Sequence, residues 1–217
     1  MRASVITPTL GRETLGRALR SLLAQTDPDW EAIVVDDGDG SGIRIAEAFG
    51  DERITALANP GRGQVDARNA AAARARGRLL CWLDDDDWWE DVEHLRRLAE
   101  LATADAFLYR GGHVVHEDDA GRRETFDLTA TCRSLRTNNT VLTSSIAYPR
   151  EVHELLGPLD ASLGGYCDWD LLLRMCDAGF EPCKVPGLGV CYSLHAESAS
   201  AQHDAPARRA SFERFAA

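Results

Sequence analysis

No stretch of this 217-residue chain approaches 18 consecutive uncharged apolar residues, so nothing in it reads as a membrane span. Its six cysteines, at 81, 132, 167, 176, 183 and 191, contain no C-x-x-C pair, which removes the zinc-ribbon and dithiol-redox readings. Several of them lie in apolar segments, where a free thiol behaves as a small buried hydrophobe, so they read as reduced and the compartment as cytoplasmic. Positive charge is short: 24 Lys and Arg face 35 Asp and Glu, for a formal net charge of −11. That deficit argues against nucleic acid and against an anionic membrane surface as partners. The opening residues run straight into a strand pattern and leave no room for a signal peptide. There is no internal repeat, and no dinucleotide fingerprint, because Gly61-Arg62-Gly63 is followed by Asp66 where a sixth-position Gly or Ala is needed. The run from Asp37 to Gly42 starts like a calcium loop but reaches Ala48 where a bidentate Glu belongs.

What is present is ordinary globular material, 44% hydrophobic and 27% charged, enough for one domain with an ample core. The first half alternates strand and helix signals. Strands are expected at 4–7, ended by Pro8, and at 32–35, 54–57 and 79–83. Helices are expected at 13–24, 42–49, 64–76 (closed by Gly77) and 90–102. Such alternation predicts a doubly wound, mainly parallel sheet. After Asp105 the pattern shifts to a hairpin around 117–121, a strand at 141–148, a helix at 168–178 capped by Gly179, and extended chain at 182–192. The division is a nucleotide-binding half to about 104, an acceptor-side half at about 105–204 and a tail at 205–217, within a single domain over 1–217.

The most informative segment is Asp84-Asp85-Asp86-Asp87, four carboxylates between the apolar run Leu79–Leu83 and the pair Trp88-Trp89. Like charges this close repel, and a packed domain tolerates them only with water or a cation at hand. They stand where a central strand ends, the place open α/β sheets put their ligands, and a hard divalent cation bridging carboxylate and diphosphate oxygens suits them. Asp36-Asp37-Gly38 ends the second strand, and Asp37 there can accept from a base or a ribose. Arg68 sits on the helix before the acidic strand, where a diphosphate could meet it. Asp168 and Asp170 start a late helix about 200° apart, so one is expected to cap it while the other faces the cleft. His195 closes the last strand.

In this order the motifs resemble glycosyltransferase family 2, the inverting nucleotide-sugar transferases of GT-A fold. Val5-Ile6-Thr7-Pro8-Thr9 is similar to that family's opening strand, Gln25-Thr26 to its helix exit and Val34-Val35-Asp36-Asp37-Gly38 to its nucleobase segment. Ala67-Arg68-Asn69 resembles the stretch ahead of the metal site, and Leu83–Asp87 the D-x-D-D signature. Cys167-Asp168-Trp169-Asp170-Leu171 resembles the segment carrying the base, and Tyr192-x-x-His195 the late His. The resemblance implies an α/β GT-A fold with a small acceptor-side sheet, a nucleotide-sugar donor, most simply a UDP-sugar, and a hydroxyl-bearing acceptor (a small molecule or a carrier-linked glycan). It implies Mn2+ or Mg2+ held by Asp86 with His195 completing or neighbouring the shell. Donor contacts fall to Pro8, Thr9, Asp37, Arg68, Asp84 and Asp85, with Asp37 on the base and Asp84 on the ribose, and Asp168 is the base. Trp88, Trp89 and Trp169 are placed either to wall the sugar or acceptor face or to pack as core. Two positions depart from the pattern: Leu10-Gly11 replaces an aromatic-Asn pair, and Cys167 replaces the usual Glu. A sugar-nucleotide nucleotidyltransferase is the rival enzyme class, but Thr7–Arg12 offers a single Gly and a single Arg where it would want a glycine-rich basic loop. An inactive nucleotide-sugar-binding module is the other alternative.

Overall fold

The computed structural model describes residues 2–196, 198 and 215. The first half runs β1 (Ala3–Thr9), α1 (Leu15–Leu23), β2 (Trp30–Asp36), α2 (Ser41–Glu47), β3 (Ile54–Ala58), α3 (Gly63–Ala72) and β4 (Leu79–Trp82). The second runs β5 (Trp88–Trp89), α4 (His94–Leu101), β6 (Ala106–His116), β7 (Arg122–Phe126), α5 (Cys132–Leu135), β8 (Ala147–Pro149), α6 (Arg150–Leu156), α7 (Cys167–Asp177) and β9 (Glu181–Leu194). β1, β2 and β4 are buried along their whole length because helices cover both faces of the sheet. One face packs Trp82, Phe107, Tyr109 and Tyr148 against Leu171, Leu172 and Met175 of α7. The other packs Val5, Trp30 and Leu79 against Leu22, Leu95 and Leu98.

One nine-stranded sheet runs in the order β3-β2-β1-β4-β8-β6-β9-β5, with β7 paired to β6. The β3, β2, β1 and β4 ladders are parallel. The strands expected as a small acceptor-side sheet continue this same sheet through β8, which lies antiparallel to β4. The register sets Thr9 beside Asp36 and Ile6 beside Trp82, so three central strands deliver their carboxyl ends to one edge. No helix among the described residues is long and apolar enough to cross a membrane.

Several expectations change in detail. β1 does not end at Pro8. The Ile6 carbonyl faces β4 and the Thr9 carbonyl faces β2, so Pro8 turns its donor-less nitrogen to the β4 side, where the ladder has already stopped. α3 ends at Ala72, and Gly77 is no helix cap: a Cβ there would lie 2.4 Å from the Ala3 carbonyl carbon and the Ser4 nitrogen. The expected strand at 141–148 is broken by a 3-10 turn at Thr143–Ser145, where the Ser145 hydroxyl and amide both bond the Leu142 carbonyl. α5 and α6 carry too little periodicity to be seen beforehand. Gly179, at φ +90°, does close α7. Cys132 and Cys176 form a disulfide joining α5 to α7, so not all six cysteines are thiols; Cys81, Cys167, Cys183 and Cys191 are. Of the tail expected from 205, only Phe215 lies within the described residues.

Candidate active site

The acidic run is a tight turn at the end of β4, closed by the Asp87 amide donating to the Asp84 carbonyl. Its carboxylates separate by alternation. Asp85 accepts from Thr9 Oγ1 at 2.6 Å and Arg12 Nη1 at 3.1 Å and is 3% exposed. Asp87, fully buried, accepts from Ser144 Oγ at 2.5 Å and the Ser193 amide at 2.7 Å. These two tie the turn to β1, β9 and the 143–145 turn. Asp84 and Asp86 face the cleft, Asp84 paired with Arg68 at 2.5 Å and Asp86 Oδ2 lying 3.0 Å from His195 Nε2. Burial raises the pKa of Asp84, against the pull of Arg68, and raises that of Asp85. Burial, with the charges of Asp86 and Asp84, pushes Asp87 well above the carboxylate range. Four carboxylates in one turn leave a cleft short of positive charge.

A cavity of about 350 Å³ opens beside the turn, lined by Pro8, Thr9, Arg12, Asp37, Gln64, Asp84, Asp85 and Asp86, among others. Here five of the six residues expected on the donor meet. Asp37 is already anchored: both its oxygens accept from the Gly63 amide at 2.9 Å, and Oδ1 accepts from Asn59 Nδ2 at 2.7 Å. It therefore holds the entry to α3, where Gly63 at φ +81° makes the turn. Asp36, its neighbour, turns inward onto the Gly38 and Ile43 amides.

Arg68, the sixth, stands at the back. It is 3% exposed, donates to Gln64 Oε1 at 2.9 Å and lies over the Trp82 ring at 4.8 Å. Burial opposes its charge, but Asp84, Cys167 and Asp168 more than offset that and hold it above its usual pKa. As it stands this guanidinium neutralises Asp84 rather than reaching into the donor cavity. Arg12, missed as a donor-site residue, is the guanidinium that lines it, 3.1 Å from Asp85 and 3.8 Å from Asp86. Nothing in its sequence neighbourhood marked it; the contact spans more than seventy residues.

A second cavity, of about 410 Å³, adjoins the first and shares Gln64, Asp84 and Tyr192 with it. Asp168, in the first turn of α7, lines it together with Asn139, Thr143, Tyr166, Trp169 and Phe126. Its Oδ2 accepts from Asn139 Nδ2 at 3.2 Å and Thr143 Oγ1 at 3.1 Å. Asp170 points away and pairs with Arg174 at 2.8 Å. The two carboxylates thus have separate jobs, and neither caps the helix, which has no side-chain cap. Cys167 is buried beneath, its thiol pushed up to about 12 by burial. Of the three tryptophans, only Trp169 lines the cleft. Trp89 is core, stacked on His94 at 4.4 Å, and Trp88 lies under the Arg17 guanidinium at 3.9 Å.

The donor set at Asp86 and His195 suits a cation shared with a ligand. A hard cation with ligands at about 2.0–2.1 Å spaces adjacent ones by about 3 Å, and Asp86 Oδ2 and His195 Nε2 stand 3.0 Å apart. Among the described residues no group of three or more His, Cys, Asp or Glu could hold a metal by itself.

The profile of glycosyl transferase family 2 matches residues 4–151. The chain is 28% identical over 218 residues to the uncharacterised glycosyltransferase YwdF of Bacillus subtilis, covering 96% of this chain and 80% of that one. It is 39% identical over 90 residues to WfgD of Escherichia coli, a UDP-Glc:alpha-D-GlcNAc-diphosphoundecaprenol beta-1,3-glucosyltransferase, covering 40% of this chain and 35% of that one. Its fold matches S. aureus TarS 1-349 in complex with UDP-GlcNAc at a TM-score of 0.72 and 19% identity, covering 93% of this chain and 61% of that one. The curled, mostly parallel sheet is thus the GT-A fold. A nucleotidyltransferase is set aside by these likenesses. The chain belongs to glycosyl transferase family 2 and is a glycosyltransferase.

Proposed function

We propose that this protein transfers a sugar from a UDP-linked donor to an acceptor hydroxyl with inversion at the anomeric carbon, assisted by Mn2+ or Mg2+. The observation that carries the reading is the pair of adjoining cavities: Asp84 and Asp86 stand in the first and Asp168 in the second, with Gln64, Asp84 and Tyr192 as a common wall. A donor diphosphate in the first and an acceptor in the second would bring the anomeric carbon between carboxylates of opposite roles. The name of WfgD, which includes a UDP-linked glucose donor, supports the choice of nucleotide.

Asp37 would take the base edge, Asp84 the ribose, and Pro8 and Thr9 the neighbouring face. Asp85 serves indirectly, by holding Thr9 and Arg12 in place. Asp86 and His195 would hold the cation, whose charge neutralises the departing nucleoside diphosphate when it is bound. Arg12 lies beside them to meet phosphate oxygens. Asp168 takes the acceptor proton as the hydroxyl oxygen bonds to the anomeric carbon. The bond to the diphosphate breaks in the same displacement, and UDP leaves with the electron pair. General-base help of this kind contributes about 10²–10⁴-fold. Tyr166, Trp169 and Phe126 line the acceptor cavity with aromatic rings, Phe215 lying against Tyr166 and Trp169.

The test is product stereochemistry. UDP-glucose and UDP-GlcNAc, each an α-linked donor, are incubated with Mn2+ and a panel of glycoside acceptors, and UDP release and the product's anomeric proton coupling are followed. Release of UDP with a β-linked product is expected. An α-linked product contradicts inversion, and no metal-dependent UDP release across the panel contradicts the enzymatic reading in favour of a binding module.

A further inference from the structure

The two hydrogen bonds to Asp168 fall on one oxygen. Asn139 Nδ2 and Thr143 Oγ1 both reach Oδ2, at 3.2 and 3.1 Å, while Oδ1 has no hydrogen-bond partner among the described residues. The Asn139 amide cannot be turned around without loss, because its Oδ1 accepts from the Val141 amide at 3.1 Å, which leaves the NH2 facing Asp168. Thr143 can only donate to an ionised carboxylate. The next residue, Ser144, accepts from the Asp84 amide at 3.0 Å and donates to Asp87. A single short segment therefore grips the acidic turn with one side chain and Asp168 with the two before it.

We propose that Asn139 and Thr143 are positioning residues for the acceptor-side carboxylate: they hold Oδ2 of Asp168 and leave Oδ1 as the atom that takes the proton. This rests on the reading of Asp168 as the base. Two neutral donors on one oxygen fix the carboxylate's orientation without adding the charge that a neighbouring ionised group would bring. The groups that also bear on Asp168 are Arg68 of α3 and Asp84 of the acidic turn from across the cleft, Cys167 beside it on α7, and the phenols of Tyr166 and Tyr192 in the same cavity wall. Arg68 is paired with Asp84, and Cys167 is neutral, so neither does what the Asn139 and Thr143 donors do. Because Ser144 belongs to the same segment, the spacing between the base and the donor carboxylates is set there as well.

The experiment compares turnover with donor binding, following Mn2+-dependent UDP release for kcat beside calorimetric binding of UDP. Thr143→Val, Asn139→Leu and Thr143→Ser are compared with the parent chain, each checked for unchanged melting. Thr143→Val and Asn139→Leu each lose a donor to Oδ2, whereas Thr143→Ser keeps its hydroxyl and should turn over like the parent. Mn2+-dependent UDP release from UDP-glucose should fall about tenfold in kcat in the first two, with UDP affinity unchanged. A loss that appears in UDP affinity instead of kcat, or a Thr143→Ser protein that behaves like Thr143→Val, overturns the proposal. If the positioning variants keep full turnover while Asp168→Asn loses it, the base reading stands and the positioning role falls. Full turnover in Asp168→Asn removes the base reading instead.

Discussion

Ser144 offers the sharpest stability test of how the acidic turn is held. Its side chain is fully buried and makes two hydrogen bonds, accepting from the Asp84 amide at 3.0 Å and donating to Asp87 at 2.5 Å. Ser144→Ala removes both without altering the backbone. The lost donation to a carboxylate costs about 1.5–3 kcal/mol, and an amide left without its acceptor adds about 1–3 kcal/mol unless it relaxes towards water. The two losses share one hydroxyl and do not simply add, so about 3 kcal/mol is the expected total. For a chain of this size each kcal/mol lowers Tm by about 2–4 °C, giving a drop of about 6–12 °C. Calorimetry on Ser144→Ala, Asp87→Asn and the double variant reads both the loss and its origin. The Asn side chain can still accept from the Ser193 amide and donate to the serine hydroxyl, so Ser144→Ala should cost less in that background, with a coupling of about 1 kcal/mol or more. A Tm within about 2 °C of the parent, or an equal loss in both backgrounds, refutes the idea that Ser144 supports the carboxylate.

Asp86→Ala should abolish Mn2+-dependent binding of UDP in calorimetry while Tm stays near the parent value, because its carboxylate faces the cleft and not the core; unchanged metal-dependent binding would remove Asp86 from the site. UDP should bind more tightly than ADP, CDP or GDP by about 1–3 kcal/mol if Asp37 accepts from the uracil ring, and equal affinity for GDP would contradict that role. Glu31 tests pH dependence. Although burial alone would raise its pKa, Ser4 and Arg76 lower it. A carboxylate depressed in the folded state contributes stability above its unfolded pKa and loses it as pH falls through the folded value. Glu31→Gln should therefore cost about 1–2 kcal/mol at pH 7, a loss that closes as pH drops below about 4; a loss independent of pH would contradict the assignment.

The central sheet was legible because Val5-Ile6, Ala32–Val35 and Leu79–Leu83 are short apolar runs, and the last two end in carboxylates, where an open parallel sheet places its ligands. That Asp84, Asp86, Asp37 and Asp168 line the cleft followed from that placement together with the family resemblance. Long-range partners were not legible. Asp85 binds Thr9 and Arg12 across more than seventy positions, and Asp87 binds Ser144 and Ser193 across more than fifty, so which member of a four-carboxylate run is structural depends on contacts no local pattern encodes. The same holds for Arg68, a conventional helix arginine by spacing that turns out buried against Trp82 and Asp84. Local conflict explains the rest. Thr143-Ser144-Ser145 looks like the middle of a strand until its hydroxyls are spent on backbone and carboxylate partners, and Cys132 and Cys176 meet only once α5 has packed on α7.

In the proposed mechanism Asp168 takes the acceptor proton in a cleft whose donor half works without it. Asp168→Asn keeps the shape and can still meet Asn139 and Thr143 but cannot accept the proton. Single-turnover transfer from UDP-glucose with Mn2+, measured beside calorimetric binding of UDP, separates the two halves of the cleft. A fall in kcat of at least about 10²-fold is expected in Asp168→Asn, with the UDP Kd nearly unchanged. Near-normal turnover in Asp168→Asn, with loss in Asp170→Asn instead, would contradict it.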